Sequence, residues 1–312
     1  MDLDYPNPNE KKILLDVAYK QNELLYLGRK IGYLHPKIYD MNFEIYRNFR
    51  MMKYFGLKDY FFRPTIEKVD FMIVGFAKSG TSSLYQYIKQ HTNISSSWTK
   101  EPHFFSYGYS KGINYYSKNF RFHKNSMYFE ASTDYIVYPE IFKRIKKYNP
   151  KMKFLICLRN PVEQVYSSFN DMRQNGTELN SFESVISNEN FRKTLHLERI
   201  KNEKYSNQKV PIHPPLLYFA EYFTHIKSAF EIFEPQNFFF IDSEELNNDP
   251  NNVVKKILDF LGLEKIEIQP NKFNVKKYSQ KMLPKTRAKL SEHFAPYNKK
   301  LESLLNQKFN WL

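Results

Sequence analysis

The stretch from Gly75 to Ser83, Gly-Phe-Ala-Lys-Ser-Gly-Thr-Ser-Ser, gathers one ammonium and four hydroxyls around two of the chain's nine glycines. Lys78, Ser79, Thr81, Ser82 and Ser83 are all donors, with no carboxylate among them, which suits an oxyanion such as phosphate or sulfate. A second group follows later: Arg159, then Asn160-Pro161, and Ser167 eight residues after the arginine. A guanidinium can grip a phosphate through two parallel N–H bonds. A third group, Lys100-Glu101-Pro102-His103, sets a carboxylate and an imidazole two residues apart. Both can take and give protons near neutral pH. If the segment is extended, Glu101 and His103 share a side.

The elements that must hold these groups can be read around them. Phe71-Met72-Ile73-Val74 reads as a buried strand, and Thr81 opens a helix after the turn at Gly75–Gly80. Orphan amides and the helix dipole then point at whatever anion sits in the turn. Met152 to Leu158 reads as a second strand ending at Arg159. Pro161 stops that strand and fits the first turn of a helix running on through Phe169. Ligands of open α/β sheets collect at the carboxyl ends of strands. Arg159 and the Lys78 loop therefore form two halves of a two-phosphate clamp. A Walker A loop places lysine after its second glycine, whereas here Lys78 precedes Gly80 and Thr81 takes that place; Gly-x-Gly-x-x-Gly is absent.

Three motifs in order resemble the superfamily of sulfotransferases that use PAPS, 3'-phosphoadenosine 5'-phosphosulfate. The pattern is most similar to the carbohydrate and heparan-sulfate branch, over residues from about Ile66 to the C-terminal Phe309-Asn310-Trp311. Gly75 to Thr81 matches the loop that binds the 5'-phosphosulfate. Arg159, Pro161 and Ser167 match the element that binds the 3'-phosphate, and Lys100 to Phe105 matches Lys-Glu-x-His-Phe-Phe. The resemblance implies PAPS as donor, adenosine 3',5'-bisphosphate as product, and no metal. Lys78 is then expected to stabilise the leaving phosphate, Glu101 to be the general base, and His103 to orient the acceptor or share the proton. Ser79, Gly80, Thr81, Ser82, Ser83, Arg159 and Ser167 are expected to bind cofactor. Lys276, Lys277 and Tyr278 fall where the family has a late loop closing over the phosphosulfate. The bland readings are a solvated loop charge for Glu101 and a core histidine for His103.

Departures from the branch pattern concern the acceptor. Ala77 replaces a basic residue before the loop lysine, Glu130-Ala131 a Glu-Lys pair, Gln164 a basic residue, and Ser106 an acid after His-Phe-Phe. They leave cofactor binding intact and weaken the case for a glycosaminoglycan-like acceptor. The acceptor class stays open between a sugar hydroxyl or amine, a tyrosine and a lipid. Two rival readings are a P-loop-type kinase using ATP and Mg²⁺, and a non-catalytic protein binding polyanions.

The expected fold is α/β: a P-loop-like three-layer arrangement with a central, mostly parallel sheet flanked by helices. Further elements are a strand at Met127–Glu130, a helix at Pro139–Lys147, and a polar, irregular stretch over 173–210 facing the acceptor. A helical run follows from Leu216 to Phe233, then a strand at Asn237–Ile241 and a helix at Val253–Leu261 stopped by Gly262. Residues 66–312 are expected to form the catalytic domain and residues 1–65 a helical extension. That extension carries a basic-aromatic patch from Tyr46 to Phe55, read as a lid, an oligomer contact, a peripheral membrane contact or simple packing. The formal charge of +14 over 312 residues favours anionic partners. No nucleic-acid motif accompanies it. The lone Cys157 makes no internal disulfide. Without a signal-like N-terminus or a long apolar run, the expectation is a soluble, cytoplasmic protein.

Overall fold

A computed structural model describes residues 66–201, 214–271 and 281–311. The expected N-terminal extension over residues 1–65, and the expected cofactor contacts Lys276, Lys277 and Tyr278, lie outside the described residues. The elements run β1 (Phe71–Gly75), α1 (Thr81–Ile88), β2 (Ile94–Ser96), α2 (Ile113–Ser117), β3 (Met127–Ala131), α3 (Pro139–Tyr148), β4 (Lys153–Leu158) and α4 (Pro161–Gln174). Then come α5 (Phe182–Ser187), α6 (Glu189–Lys201), α7 (Leu216–Ala220), α8 (Tyr222–Phe230), β5 (Phe238–Asp242), α9 (Ser243–Asn248), α10 (Pro250–Leu261) and α11 (Pro284–Leu305).

The strands lie in the order β2-β3-β1-β4-β5, and every pairing is parallel. β1 is the centre because all five of its residues are buried, as a strand covered on both faces must be. Alternation assigns its side chains. Phe71 and Ile73 pack with Leu84 and Ile88 of α1 and Val254 and Ile257 of α10. Met72 and Val74 face the other layer, with Phe142 of α3, Val165 of α4, Ile226 of α8 and Leu290 of α11. Each such side chain contributes about 1.5–3 kcal/mol on burial. Phe71 also stacks on its register partner Phe129, with centroids 4.9 Å apart.

The three-layer expectation holds, and α1 and α4 lie on opposite faces of the sheet. The chain leaves β1 toward β2, returns through β3, and only then crosses to β4. The carboxyl ends of β1 and β4 are thus the point where the winding reverses and a crevice opens.

The capping chemistry matches the sequence. Asn160 caps α4, its side chain accepting from Val162 N at 3.0 Å, with Pro161 in the first turn. Asp249 caps α10, and Gly262 ends it with φ +79°.

Several readings need correction. The stretch expected to be irregular over 173–210 contains α5 and α6. Ser181 caps α5 by accepting from Ser184 N at 3.2 Å, and Phe182, Val185 and Ile186 are buried. Arg192 of α6 pairs with Glu178 at 2.8 Å, both side chains being buried. Polar residues hid the pattern because Glu178, Glu189, Arg192 and His196 are buried there, the first and third as a pair. The single helical run at Leu216–Phe233 is two helices, broken at Glu221 (ψ 65°), whose carboxylate accepts from Lys193 at 3.3 Å. β2 and α9 were too short to register as apolar periods.

Gly75 ends β1 against the turn at Tyr135–Val137. A Cβ there would lie 2.5 Å from Ile136 Cγ2 and 3.1 Å from Ile136 Cβ. Gly75→Ala is expected to cost about 1–3 kcal/mol, the range for overpacked cores. Urea unfolding measures it, and an unchanged midpoint would show that Ile136 yields without cost.

Candidate active site

The sequence makes the first half of the site by running β1 directly into a turn that ends at the head of α1. Lys78 and Gly80 adopt left-handed conformations, with φ 64° and 94°. The N-terminus of α1 takes no side-chain cap and has no acidic residue in its first turn. Its amides are therefore left for an anion. Ser79 and Thr81 are buried, and Ser82 and Ser83 are half-buried. The buried Ser79 hydroxyl faces the buried Tyr222 hydroxyl and has no other partner among the described residues. Such a buried donor in a turn of this kind is what a bound oxyanion would satisfy.

The second half comes from β4 and α4, and it grips the first. Arg159 Nη1 donates to the Lys78 carbonyl at 3.1 Å. Gln164 Nε2 donates to the Ala77 carbonyl at 2.9 Å. Lys78 Nζ pairs with Asp171 Oδ1 at 3.0 Å, with both side chains partly exposed. Ser167 is buried on α4. Behind the turn, Phe76 packs on Tyr222 (centroids 4.3 Å), which meets Trp311. Trp311 is tied in turn through its carbonyl, which accepts from Asn160 Nδ2 at 2.8 Å.

Glu101 and His103 meet the carboxyl end of β3, the strand next to β1. Glu101 accepts from Lys100 Nζ at 3.0 Å and from the Thr133 hydroxyl at 3.2 Å to each oxygen. His103 Nε2 lies 3.3 Å from Glu101 Oε2, and Nδ1 lies 2.8 Å from Asp134 Oδ1. The two groups do share a side, although not because the segment is extended. His103 is left-handed (φ 50°, ψ 32°) at the head of a tight turn over Phe104–Gly108. With its imidazole partly exposed, hydrogen-bonded to Asp134 and within ion-pair distance of Glu101, it is not a core histidine, and Glu101 is not a solvated loop charge.

A family model described as the sulfotransferase domain matches residues 68–302. The chain belongs to the sulfotransferase family. A solved sulfotransferase from Alicyclobacillus acidocaldarius superposes with a TM-score of 0.63 at 29% identity, covering 79% of this chain and 99% of its own. The human heparan sulfate glucosamine 3-O-sulfotransferase 6 is 24% identical over 77% of this chain and 72% of its own length. The Caenorhabditis briggsae bifunctional heparan sulfate N-deacetylase/N-sulfotransferase 1 is 28% identical over 62% of this chain but only 22% of its own length. The chain is accordingly an enzyme of the sulfotransferase type.

Below the sulfotransferase's Glu101–His103 pair lies a carboxylate with no exposure, Glu130 at the end of β3. Tyr116 and Tyr135 donate their hydroxyls to its Oε1 at 2.8 and 3.0 Å, and Ser132 donates to Oε2 at 2.6 Å. Burial pushes Glu130 up to about 7 despite those three donors and the nearby His103. Burial works the other way on His103. There the Asp134 hydrogen bond and the charges of Asp134, Glu101 and Glu130 outweigh it, raising the imidazole to about 9. Glu101, His103 and Asp134 each offer an atom within 4.8 Å of the others, a metal-like spacing. The two carboxylates, however, occupy opposite ring nitrogens, so one ion could not take the imidazole and both acids in that arrangement.

Thr133, Asp134 and Asp171 escaped the sequence reading. Asp134 and Thr133 carried a usable signal, since both lie within three residues of the end of β3, at the edge where ligands collect. Asp171 carried none, being one acid on an amphipathic helix.

Glu130 predicts a pH effect on stability. Its folded value of about 7 lies above the ordinary glutamate value of 4.5, so between those values the folded state holds a proton that the unfolded chain has lost. Stability therefore falls as pH rises through this window, by about 2–3 kcal/mol for this group. Glu130→Gln stays neutral throughout. Its stability relative to the parent is expected to rise by that amount between pH 4.5 and 7.5 in urea titrations; parallel curves would contradict the assignment.

Proposed function

We propose that the enzyme moves a sulfuryl group from PAPS to a hydroxyl or amine of a carbohydrate, with Glu101 as general base. The observation that carries this is the pair of donor sets at the carboxyl ends of β1 and β4, joined by Arg159 and Gln164 bonding to the Lys78 loop. A donor with phosphates at both its 3' and 5' positions needs two such sets at a fixed separation.

When bound, PAPS supplies an activated sulfuryl group on a phosphate leaving group. Ser79, Gly80, Thr81, Ser82 and Ser83 surround the open head of α1 and would bind the 5' end. Arg159 and Ser167 would bind the 3'-phosphate. As the acceptor oxygen or nitrogen bonds to sulfur, the S–O bond to the phosphate breaks and its electron pair leaves with adenosine 3',5'-bisphosphate. Lys78 offsets the charge growing on that oxygen. Glu101 takes the acceptor's proton. Lys78 rests on Asp171 in the structure, and an oxyanion in the turn would compete for the same ammonium. The carbohydrate acceptor is supported by the heparan sulfate enzymes to which the chain is similar, and by its +14 charge, which would draw a polyanionic sugar. Lys276, Lys277 and Tyr278 would close over the phosphosulfate, and a cytoplasmic location goes with this reading. No described helix is long and apolar enough to cross a membrane.

Calorimetric titration with adenosine 3',5'-bisphosphate tests the donor. Micromolar binding is expected, weakened about 30-fold to 100-fold in Lys78→Ala and in Arg159→Ala, as loss of a charge-assisted phosphate contact of about 2–3 kcal/mol implies. Tighter binding of ATP-Mg²⁺ than of the bisphosphate would favour the kinase reading instead. Transfer of label from PAPS to heparan sulfate, set against tyrosine peptides and sterols, tests the acceptor. Glu101→Gln should abolish that transfer while bisphosphate affinity stays within about twofold; retained transfer would remove Glu101 as base.

A further inference from the structure

His103 is held from both sides, and two consecutive residues after β3 supply the hold on the pair. Thr133 gives its hydroxyl to both oxygens of Glu101, 3.2 Å from each. Asp134, the next residue, takes His103 Nδ1 at 2.8 Å. The segment is fixed in place. Ser132 N donates to the Ile73 carbonyl of β1 at 3.0 Å, and the Tyr135 hydroxyl reaches buried Glu130.

Asp134 is committed to the imidazole. Its other oxygen, Oδ2, is buried with no hydrogen-bond partner among the described residues. A carboxylate with one oxygen shut away from donors depends on the partner that remains. Resting on the reading of Glu101 as the base, we propose that Asp134 is a positioning residue. It holds the Nδ1–H of His103 on itself, so that Nε2 stays directed at Glu101 while Glu101 takes the acceptor's proton.

The chemistry explains why a second acid is useful. Before transfer, the imidazolium lies between two carboxylates. When the acceptor's proton reaches Glu101, that carboxylate becomes neutral and the imidazolium loses one counter-charge. Asp134 keeps the other, so His103 need not move or shed its own proton while Glu101 is loaded. The remaining groups facing His103 are Glu130 beneath it, bonded to Tyr116 and Tyr135, the Tyr107 ring at 5.5 Å, and Lys100 through Glu101. Arg144, which also approaches this turn, is bonded to the carbonyls of Phe105 and Ser106.

Asp134→Asn keeps the size of the side chain and removes only its charge. NMR titration of the His103 imidazole, with neither donor nor acceptor present, is read beside PAPS turnover on heparan sulfate and bisphosphate calorimetry. The variant is expected to lower the His103 midpoint by about one pH unit or more, since a neutral amide replaces its hydrogen-bonded counter-charge. Turnover should fall about 10-fold to 100-fold through kcat, with acceptor KM and bisphosphate affinity within twofold. A His103 midpoint unchanged by the substitution, or unchanged kcat alongside a lowered midpoint, would overturn the proposal. The parent protein's failure to bind the bisphosphate would count against the PAPS reading alone, because the NMR titration needs no ligand.

Discussion

Parallel pairing of β1 with β4 is the constraint on which the site depends. It sets Gly75, the end of one strand, opposite Ile156, two residues before the other ends at Leu158, and Phe76 N donates to the Cys157 carbonyl, so the turn after the first meets the arginine after the second. Neither half is then self-supporting. The Lys78 turn is held through its carbonyls by Arg159 and Gln164, and the lysine itself by Asp171, all from β4 and α4. A change in β1–β4 packing would therefore be felt as a change in phosphate spacing. Sidedness matters as much as proximity. Because α1 and α4 cover opposite faces, their N-termini converge on one crevice from two directions, and each can present donors to a different part of one ligand.

β3 completes the arrangement on the far side of β1 and concentrates the cost. Its last residues carry Glu130 into a site with no solvent, and Tyr116, Tyr135 and Ser132 are spent on it. Burying a carboxylate costs stability even with three donors. What that carboxylate touches is informative: it ties the turn over Tyr135–Val137 to α2 and lies under His103, between the core and the proton-handling surface. The floor of the site is thus polar and rigid, and the ring stack of Phe104 on Tyr116 at 4.3 Å fixes it laterally.

Much of this was legible in the sequence, for physical reasons that can be named. β1 and β4 are apolar runs with sharp ends, as buried parallel strands have to be, and the edge strand β5 is legible as an aromatic run. The Lys78 turn was legible because glycine is scarce here and two glycines bracket one cluster of donors. Glu101 and His103 were found as a pair, but the left-handed geometry of His103 was invisible, since nothing in Pro102-His103-Phe104 announces a positive φ. α5 and α6 were missed because burial there is partly polar: Glu178 and Arg192 pair inside, and a count of apolar periods scores them as surface. Asp171 was missed because a long-range ion pair leaves no local signature; Asp134 stood in view just past β3, but its partner did not. The bonds between Lys78 and Asp171 and between His103 and Asp134 span 93 and 31 residues.

The central claim is geometric: one ligand is shared between the turn after β1 and the end of β4. A crystal structure with adenosine 3',5'-bisphosphate addresses it directly. The account predicts the 5'-phosphate at the head of α1, with Lys78 drawn off Asp171 and onto it, and the 3'-phosphate within hydrogen-bond reach of Arg159 and Ser167. A bisphosphate bound away from Arg159, or one that leaves Lys78 on Asp171, would contradict it.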